Sequence, residues 1–187
     1  MKFLECVISN NIIEDNTKYN PHPYIKQYYD EEFSKIQNKK IKLLEIGVRY
    51  GVSMMMWDRW FKKGEIHGID ITPFFHPNIK FTKIDAYSKL ALDMYPDDIF
   101  DYIIDDGPHT PQTQKFSIQN WINKIKPGGK MIIEDIGCKD DNGNILSPDE
   151  SLDFLIQSID CNISDYKVFD LRETGQYDSI ILEITKK

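Results

Sequence analysis

Five ionisable side chains in two short stretches are the first candidates for chemistry: Asp105, Asp106 and His109 in Asp105-Asp106-Gly107-Pro108-His109, and Glu134-Asp135. Brought into one cleft, four carboxylates repel and raise one another's pKa. A divalent cation resolves that repulsion. All-oxygen ligands favour a hard ion such as Mg²⁺, Mn²⁺ or Ca²⁺ over zinc. An imidazole titrates near neutral pH, so His109 suits a general base. The plainer alternative is that Asp105 and Asp106 shape a turn while Glu134-Asp135 cap a strand end. His22, His67 and His76 have no comparable setting, and His22 is the one of the three to follow.

A second group lies earlier, in Leu43-Leu44-Glu45-Ile46-Gly47-Val48-Arg49-Tyr50-Gly51-Val52-Ser53. Gly47 has no side chain, so a ligand can approach its backbone. Gly51 lets the chain turn, and Ser53 is an expected N-cap for the helix that follows, whose exposed amides favour an anionic group. Asp70 ends the next strand about 20 residues on, where a carboxylate grips ribose hydroxyls. Asp85 ends the strand after that and suits an adenine amino group. Turn formation competes at both aspartates. The third glycine of a nicotinamide loop is absent, and no Gly-Lys-Ser/Thr follows, so neither that cofactor nor a phosphate-cradling P-loop is indicated. Arg49, inside the loop, could face a ligand, whereas Arg59 and Arg172 read as solvated charges.

Both groups need a scaffold that sets strand ends side by side. Apolar runs predict strands over 41–46, 65–69, 79–84, 102–104 and 130–133. Helical spacing appears over 24–36, 54–62, 88–94, 112–125 and 151–159, with a weaker signal over 2–9. Lys126-Pro127-Gly128-Gly129 reads as a helix stop. The Met54-Met55-Met56-Trp57 run with Trp60 and Phe61 reads as core. Strands alternating with helices predict an α/β doubly wound parallel sheet. Two closing strands, over 166–170 and 179–184, are joined too tightly for a helical crossover and must pair antiparallel. Every acidic candidate then falls at a strand's carboxyl end, where ligands of such sheets bind. The stretch 138–148, rich in Asp, Asn and Gly, reads as a loop and acceptor lid.

The chain has 187 residues, 41% hydrophobic and 12% aromatic, the composition of a globular protein. One domain is expected, with a helical segment over 1–40 and the core over 41–187. A net charge of −7 argues against a general nucleic-acid binder. No apolar run approaches the roughly 20 residues of a membrane span. Cys6, Cys138 and Cys161 form no metal or disulfide pattern, which favours a reducing, cytoplasmic setting.

Glu45-Ile46-Gly47-Val48-x-x-Gly51-x-Ser53, Gly68-Ile69-Asp70 and Lys126-Pro127-Gly128-Gly129 resemble class I S-adenosylmethionine-dependent methyltransferases. Asp105 to His109 with Ile132-Ile133-Glu134-Asp135 resembles, more specifically, the metal-dependent sugar O-methyltransferases of the macrocin and mycinamicin type and the cephalosporin-hydroxylase-like proteins. Lys18-x-x-x-His22-x-Tyr24-x-x-x-Tyr28 resembles that group's segment before the core. The resemblance implies a seven-stranded, Rossmann-like methyltransferase fold with S-adenosylmethionine and a divalent metal, Mg²⁺ first, as cofactors. It implies that Glu45, Gly47 and Ser53 line the methionine part of the cofactor, Asp70 its ribose and Asp85 its adenine, with Asp105 among the cofactor contacts. It also implies Asp106, Glu134 and Asp135 as metal ligands and His109 as base. Pro108 stands where that group usually has Ser, and Asn16-Thr17-Lys18 where Thr-Asp-Lys is usual. The implied reaction is O-methylation of a sugar hydroxyl on a nucleotide-linked or glycosylated small molecule. A catechol-like acceptor and a degenerate cofactor-binding scaffold are the alternatives. The acceptor pocket would draw on the N-terminal segment, the loop after strand five or a second subunit, which brings a homo-oligomer into consideration.

Overall fold

The structure, a computed structural model, describes residues 2, 3, 5, 6, 16–137, 144 and 146–187. The apolar runs become strands β1 Lys42–Ile46, β2 Glu65–Asp70, β3 Ile79–Lys83, β4 Phe100–Asp105, β5 Ile125–Ile133, β6 Ile163–Asp170 and β7 Ile180–Lys186. They form one sheet in the order β3-β2-β1-β4-β5-β7-β6. Strands β1 to β5 are parallel, and β7 pairs antiparallel with both β5 and β6. This is the expected five-plus-two arrangement. The chain builds outward from β1 to β3 and then crosses back to place β4 on the other side of β1. Such a reversal opens a crevice beyond the strand ends. Gly47 follows β1 and Asp106 follows β4, so both flank it.

Alternation along the strands sends successive side chains to opposite faces. Leu44, Ile103 and Met131 are in register across β1, β4 and β5 and face one apolar layer, which holds Trp121, Ile122 and Leu155. Glu45, Ile104, Ile132 and Glu183 form the neighbouring row across β1, β4, β5 and β7. That row faces the other layer, built from a π-helical turn Ile25–Tyr29, helix α1 Asp30–Ser34 and helix α2 Val52–Trp60. Met54, Met56, Trp57, Trp60 and Phe61 are buried there, as expected for core residues. Each such large side chain contributes roughly 1.5–3 kcal/mol through burial.

Several boundaries differ from the sequence reading. Helix α2 begins at Val52, capped by Gly51 in a left-handed conformation at φ +76°, so Ser53 is not the N-cap. Its hydroxyl donates instead to Glu45 Oε2 at 2.8 Å. Helix α3 is Lys89–Asp93, capped by Ser88, and helix α4 is Pro111–Asn120, capped by Thr110. The helix expected to reach residue 125 stops at Asn120 and gives way to a 3-10 turn, Trp121–Lys124. Strand β5 then starts at Ile125, and Lys126-Pro127-Gly128-Gly129 bulges within it rather than preceding it. The register shows why: Phe100 pairs with Ile125 and Tyr102 with Lys130, so the extra residues loop out of the ladder. Helix α5 is Pro148–Ile156, begun by a reciprocal capping box between Ser147 and Glu150. Residues 4 and 7–9 of the weak N-terminal helix, and 138–143 and 145 of the expected lid, lie outside the described residues. Neither Cys6 nor Cys161 is in a disulfide. Among the described residues no helix is long and apolar enough to cross a membrane.

Candidate active site

A cleft of about 1190 Å³ opens at the crevice. Gly47, Ser53, Asp70 and Asp85 line one side, and Asp106, His109 and Asp135 line the other. A single ligand pocket usually measures about 300–1,000 Å³, so this volume suits two ligands side by side. Glu45, Asp105 and Glu134 are not in its lining and sit behind it, each at most 1% exposed.

On the glycine-loop side, Asp70 is satisfied by nearby backbone. Its Oδ2 accepts from Val48 N and Arg49 N, both at 2.8 Å, and its Oδ1 accepts from Thr72 N at 2.7 Å. Burial pushes this carboxyl up, but the three amide donors outweigh burial and hold its pKa below the usual carboxylate value. Asp85 forms the turn that competed with its functional reading: its Oδ1 accepts from Tyr87 N at 2.9 Å. Gly47, at φ +87°, touches the opposite side of the cleft, since a Cβ there would lie 1.9 Å from Asp106 O. Glu45 works from behind, its Oε2 accepting from Ser53 Oγ and from Trp57 Nε1 at 2.9 Å.

On the acidic side, the strand alternation separates the neighbouring aspartates. Asp105, still in β4, faces the Trp121 layer and accepts from Tyr87 OH at 2.7 Å and Gly107 N at 3.2 Å. Burial raises its pKa, opposed by hydroxyls of Ser117 and Tyr87. Asp106 turns the other way and meets Lys18, whose Nζ lies 2.6 Å from Asp106 Oδ2, 2.5 Å from Glu134 Oε2 and 3.2 Å from Glu45 Oε1. Tyr29 OH donates to Glu134 Oε1, and Tyr24 OH donates to Asp135 Oδ1. His22 Nδ1 lies 3.3 Å from Asp135 Oδ1 and 2.8 Å from Ser179 Oγ. His109 Nε2 lies 3.6 Å from Asp106 Oδ1 and 3.8 Å from Asp135 Oδ2.

These contacts set the electrostatics. Burial opposes charge on Lys18, yet Asp106, Glu134 and Glu45 together hold its pKa well above the ordinary lysine value. Burial raises Glu134 and Asp135, and mutual repulsion with Asp106 adds to it, against Lys18 on Glu134 and the imidazoles on Asp135. Burial and mutual repulsion thus both disfavour the charged form of Glu134 and Asp135. Ligand atoms of Asp106, His109 and Asp135 all lie within 4.8 Å of one another. Carboxylates under repulsion around a common point fit a hard divalent ion, the chemistry expected from their spacing. Glu134, the third carboxylate of the expected set, is turned to Lys18 and Tyr29.

Of the four non-glycine residues with left-handed backbone among the described residues, Arg49 (φ +48°), His109 (+59°) and Asp135 (+54°) are at the cleft. Such conformations cost on the order of 1–3 kcal/mol and concentrate at functional sites. Lys18, Tyr24 and Tyr29 escaped the reading of residue types, because a lysine or tyrosine far upstream carries no local sign of its partner. Only the Lys18-to-Tyr28 motif marked that segment.

Comparison with known proteins follows the same lines. A family model described as a methyltransferase domain matches residues 44–136. The chain is 30% identical over 124 residues to a demethylmacrocin O-methyltransferase of Streptomyces fradiae, covering 58% of this chain and 31% of that one. It is 32% identical over 124 residues to a mycinamicin VI 2''-O-methyltransferase of Micromonospora griseorubida, covering 58% and 30%. The matched stretch is thus under a third of each relative's length. Among solved structures, the MycE methyltransferase from the mycinamycin biosynthetic pathway, in complex with Mg and SAH, superimposes with a TM-score of 0.71 at 26% identity. That match covers 97% of this chain and 54% of the other.

Proposed function

We propose, on the premise that residues 44–136 form a methyltransferase domain, that this protein moves a methyl group from S-adenosylmethionine to a sugar hydroxyl with the help of a divalent ion. The observation that carries this reading is the two-sided cleft: an Asp70-braced glycine loop faces Asp106, His109 and Asp135 across a volume that suits two ligands. The relatives support it, since those named above are O-methyltransferases of demethylmacrocin and mycinamicin VI and the MycE structure contains Mg and SAH. The acceptor is a glycosylated or nucleotide-linked small molecule.

When bound, the cofactor supplies an electrophilic sulfonium methyl, and the divalent ion orients the acceptor and lowers its hydroxyl pKa. Gly47 leaves room for the cofactor against the backbone, and Asp70 keeps the Val48 and Arg49 amides aimed while presenting remaining lone pairs to ribose hydroxyls. Asp85 serves the adenine. Glu45 holds Ser53 in place from behind, and Asp105 holds the Gly107 turn. Asp106 and Asp135, joined by Glu134, would hold the ion. His109 would accept the acceptor's hydroxyl proton at Nε2 as that oxygen takes the methyl group from the cofactor. Alignment of the two reactants accounts for much of the acceleration.

The test is methyl transfer from labelled S-adenosylmethionine to a panel of glycosylated macrolides, nucleotide sugars and catechols. Sugar acceptors should gain one methyl in the presence of Mg²⁺. Chelation should abolish transfer and leave cofactor affinity nearly intact. Transfer that survives exhaustive chelation, or that occurs on catechols alone, would refute the reading.

A further inference from the structure

The acidic cluster already contains a cation. Lys18 is 2% exposed, and its ammonium contacts Asp106 Oδ2, Glu134 Oε2 and Glu45 Oε1. Two of those three carboxylates are assigned above to the divalent ion. Resting on that assignment, we propose that Lys18 is a built-in competitor of the divalent ion, so that its ammonium and the ion hold Glu134 in alternation.

Three details support the exchange. Glu134 has one oxygen hydrogen-bonded to Tyr29 and the other to Lys18, so an ion that uses its remaining lone pairs comes up against one of these two partners. A neutral tyrosine hydroxyl does not repel an incoming cation, whereas an ammonium does, so Lys18 is the partner that must leave. A receiving oxygen is waiting. Glu45 Oε1 is buried without a hydrogen bond and lies 3.2 Å from Lys18 Nζ. A small swing of the flexible side chain moves the ammonium from Glu134 to Glu45, while the backbone stays fixed by Lys18 N on Asn16 Oδ1 and Ile25 N on Lys18 O. Open oxygens face the cleft: Asp106 Oδ1 and Asp135 Oδ2 both look toward His109 Nε2. The ion enters there, and the third carboxylate follows when Lys18 swings away. Lys18 thus keeps the ion-free cluster from repelling itself apart, at the cost of weaker ion affinity.

The test measures Mn²⁺ binding to the whole protein, with metal alone, by calorimetry and by the resonance of free Mn²⁺. Lys18→Met should tighten binding by at least about tenfold, the scale of removing one like charge a few ångströms from the ion. Mn²⁺ should also raise the denaturation midpoint of Lys18→Met more than that of the native protein. Equal or weaker binding by a folded Lys18→Met overturns the competition and leaves the metal site standing. No binding by either protein overturns both. If Lys18→Met does not fold, the side-chain ammonium resonance of Lys18 in the native protein decides the matter. It should shift as Mg²⁺ saturates the site, and an unmoved resonance overturns the proposal.

Discussion

The two sides of the cleft are held together in opposite ways. Asp70 is satisfied by amides of Val48, Arg49 and Thr72, all within 22 residues along the chain. Asp106, Glu134 and Asp135 depend on Lys18, Tyr29 and Tyr24, between 88 and 116 residues away. The first carboxylate is stabilised as an anion by amides of the glycine loop and of its own turn. In the second set, burial and repulsion raise the pKa of Glu134 and Asp135, against donors that arrive only when the N-terminal segment docks on the sheet. A satisfied anion suits a binding loop that keeps one shape. A strained cluster suits a site whose energy falls when a cation and a substrate arrive.

Gly47 is where the two sides meet, so it gives the harshest test. Gly47→Ala puts a Cβ 1.9 Å from Asp106 O and 2.9 Å from Gly107 Cα, at a backbone φ of +87°. The cost should be about 3 kcal/mol or more, read as a lower urea midpoint with loss of both S-adenosylmethionine and Mn²⁺ binding. If only one ligand is lost, the two sides are less connected than the geometry says.

Separation of the sides is tested next. His109→Ala should lower turnover by roughly 10²–10⁴-fold, the usual contribution of a positioned base, with cofactor affinity unchanged by calorimetry. Asp70→Ala should weaken cofactor binding by about ten- to a hundredfold, the loss of roughly 1.5–3 kcal/mol of charge-assisted hydrogen bonding. Its Mn²⁺ affinity should stay near the native value. Unchanged cofactor affinity in Asp70→Ala would remove the carboxylate from the cofactor site and leave it as a loop brace.

The smallest effect is the sign of pH dependence in metal-free protein. The folded pKa of Asp70 is lowered, so its contribution to stability is present above its unfolded value of about 3.9 and fades as pH falls through the folded value. The stability gap between native protein and Asp70→Asn should therefore close in acid. The folded pKa of Glu134 is raised, so its contribution runs the other way. It is present below the unfolded value of about 4.3 and is lost as pH rises toward the folded value. Glu134→Gln should gain stability relative to native protein over that rise. Parallel slopes for the two variants in denaturation titrations would erase the contrast.

How much was legible follows from the same division. Residue types and period alone determined the five parallel strands with their antiparallel pair, the tryptophan–methionine core of α2 and the strand-end places of Asp70, Asp106, Glu134 and Asp135. Those features depend on alternation and on turn chemistry within a few residues. The cap of α2 was misplaced onto Ser53 because a left-handed glycine and a serine both open helices, and only the buried Glu45 carboxylate, drawing the hydroxyl inward, separates them. The bulge at Lys126 to Gly129 was misread as a stop because its meaning lies in the register with β4. Tertiary structure by itself decided that Asp105 and Asp106 face opposite layers, that Glu134 is turned from the cleft, and that Lys18 is the counter-ion of three carboxylates. The physical reason is range: periodicity and turn preference act between near neighbours, whereas the partner of a buried charge is chosen by whichever distant side chain the fold brings within about 3 Å.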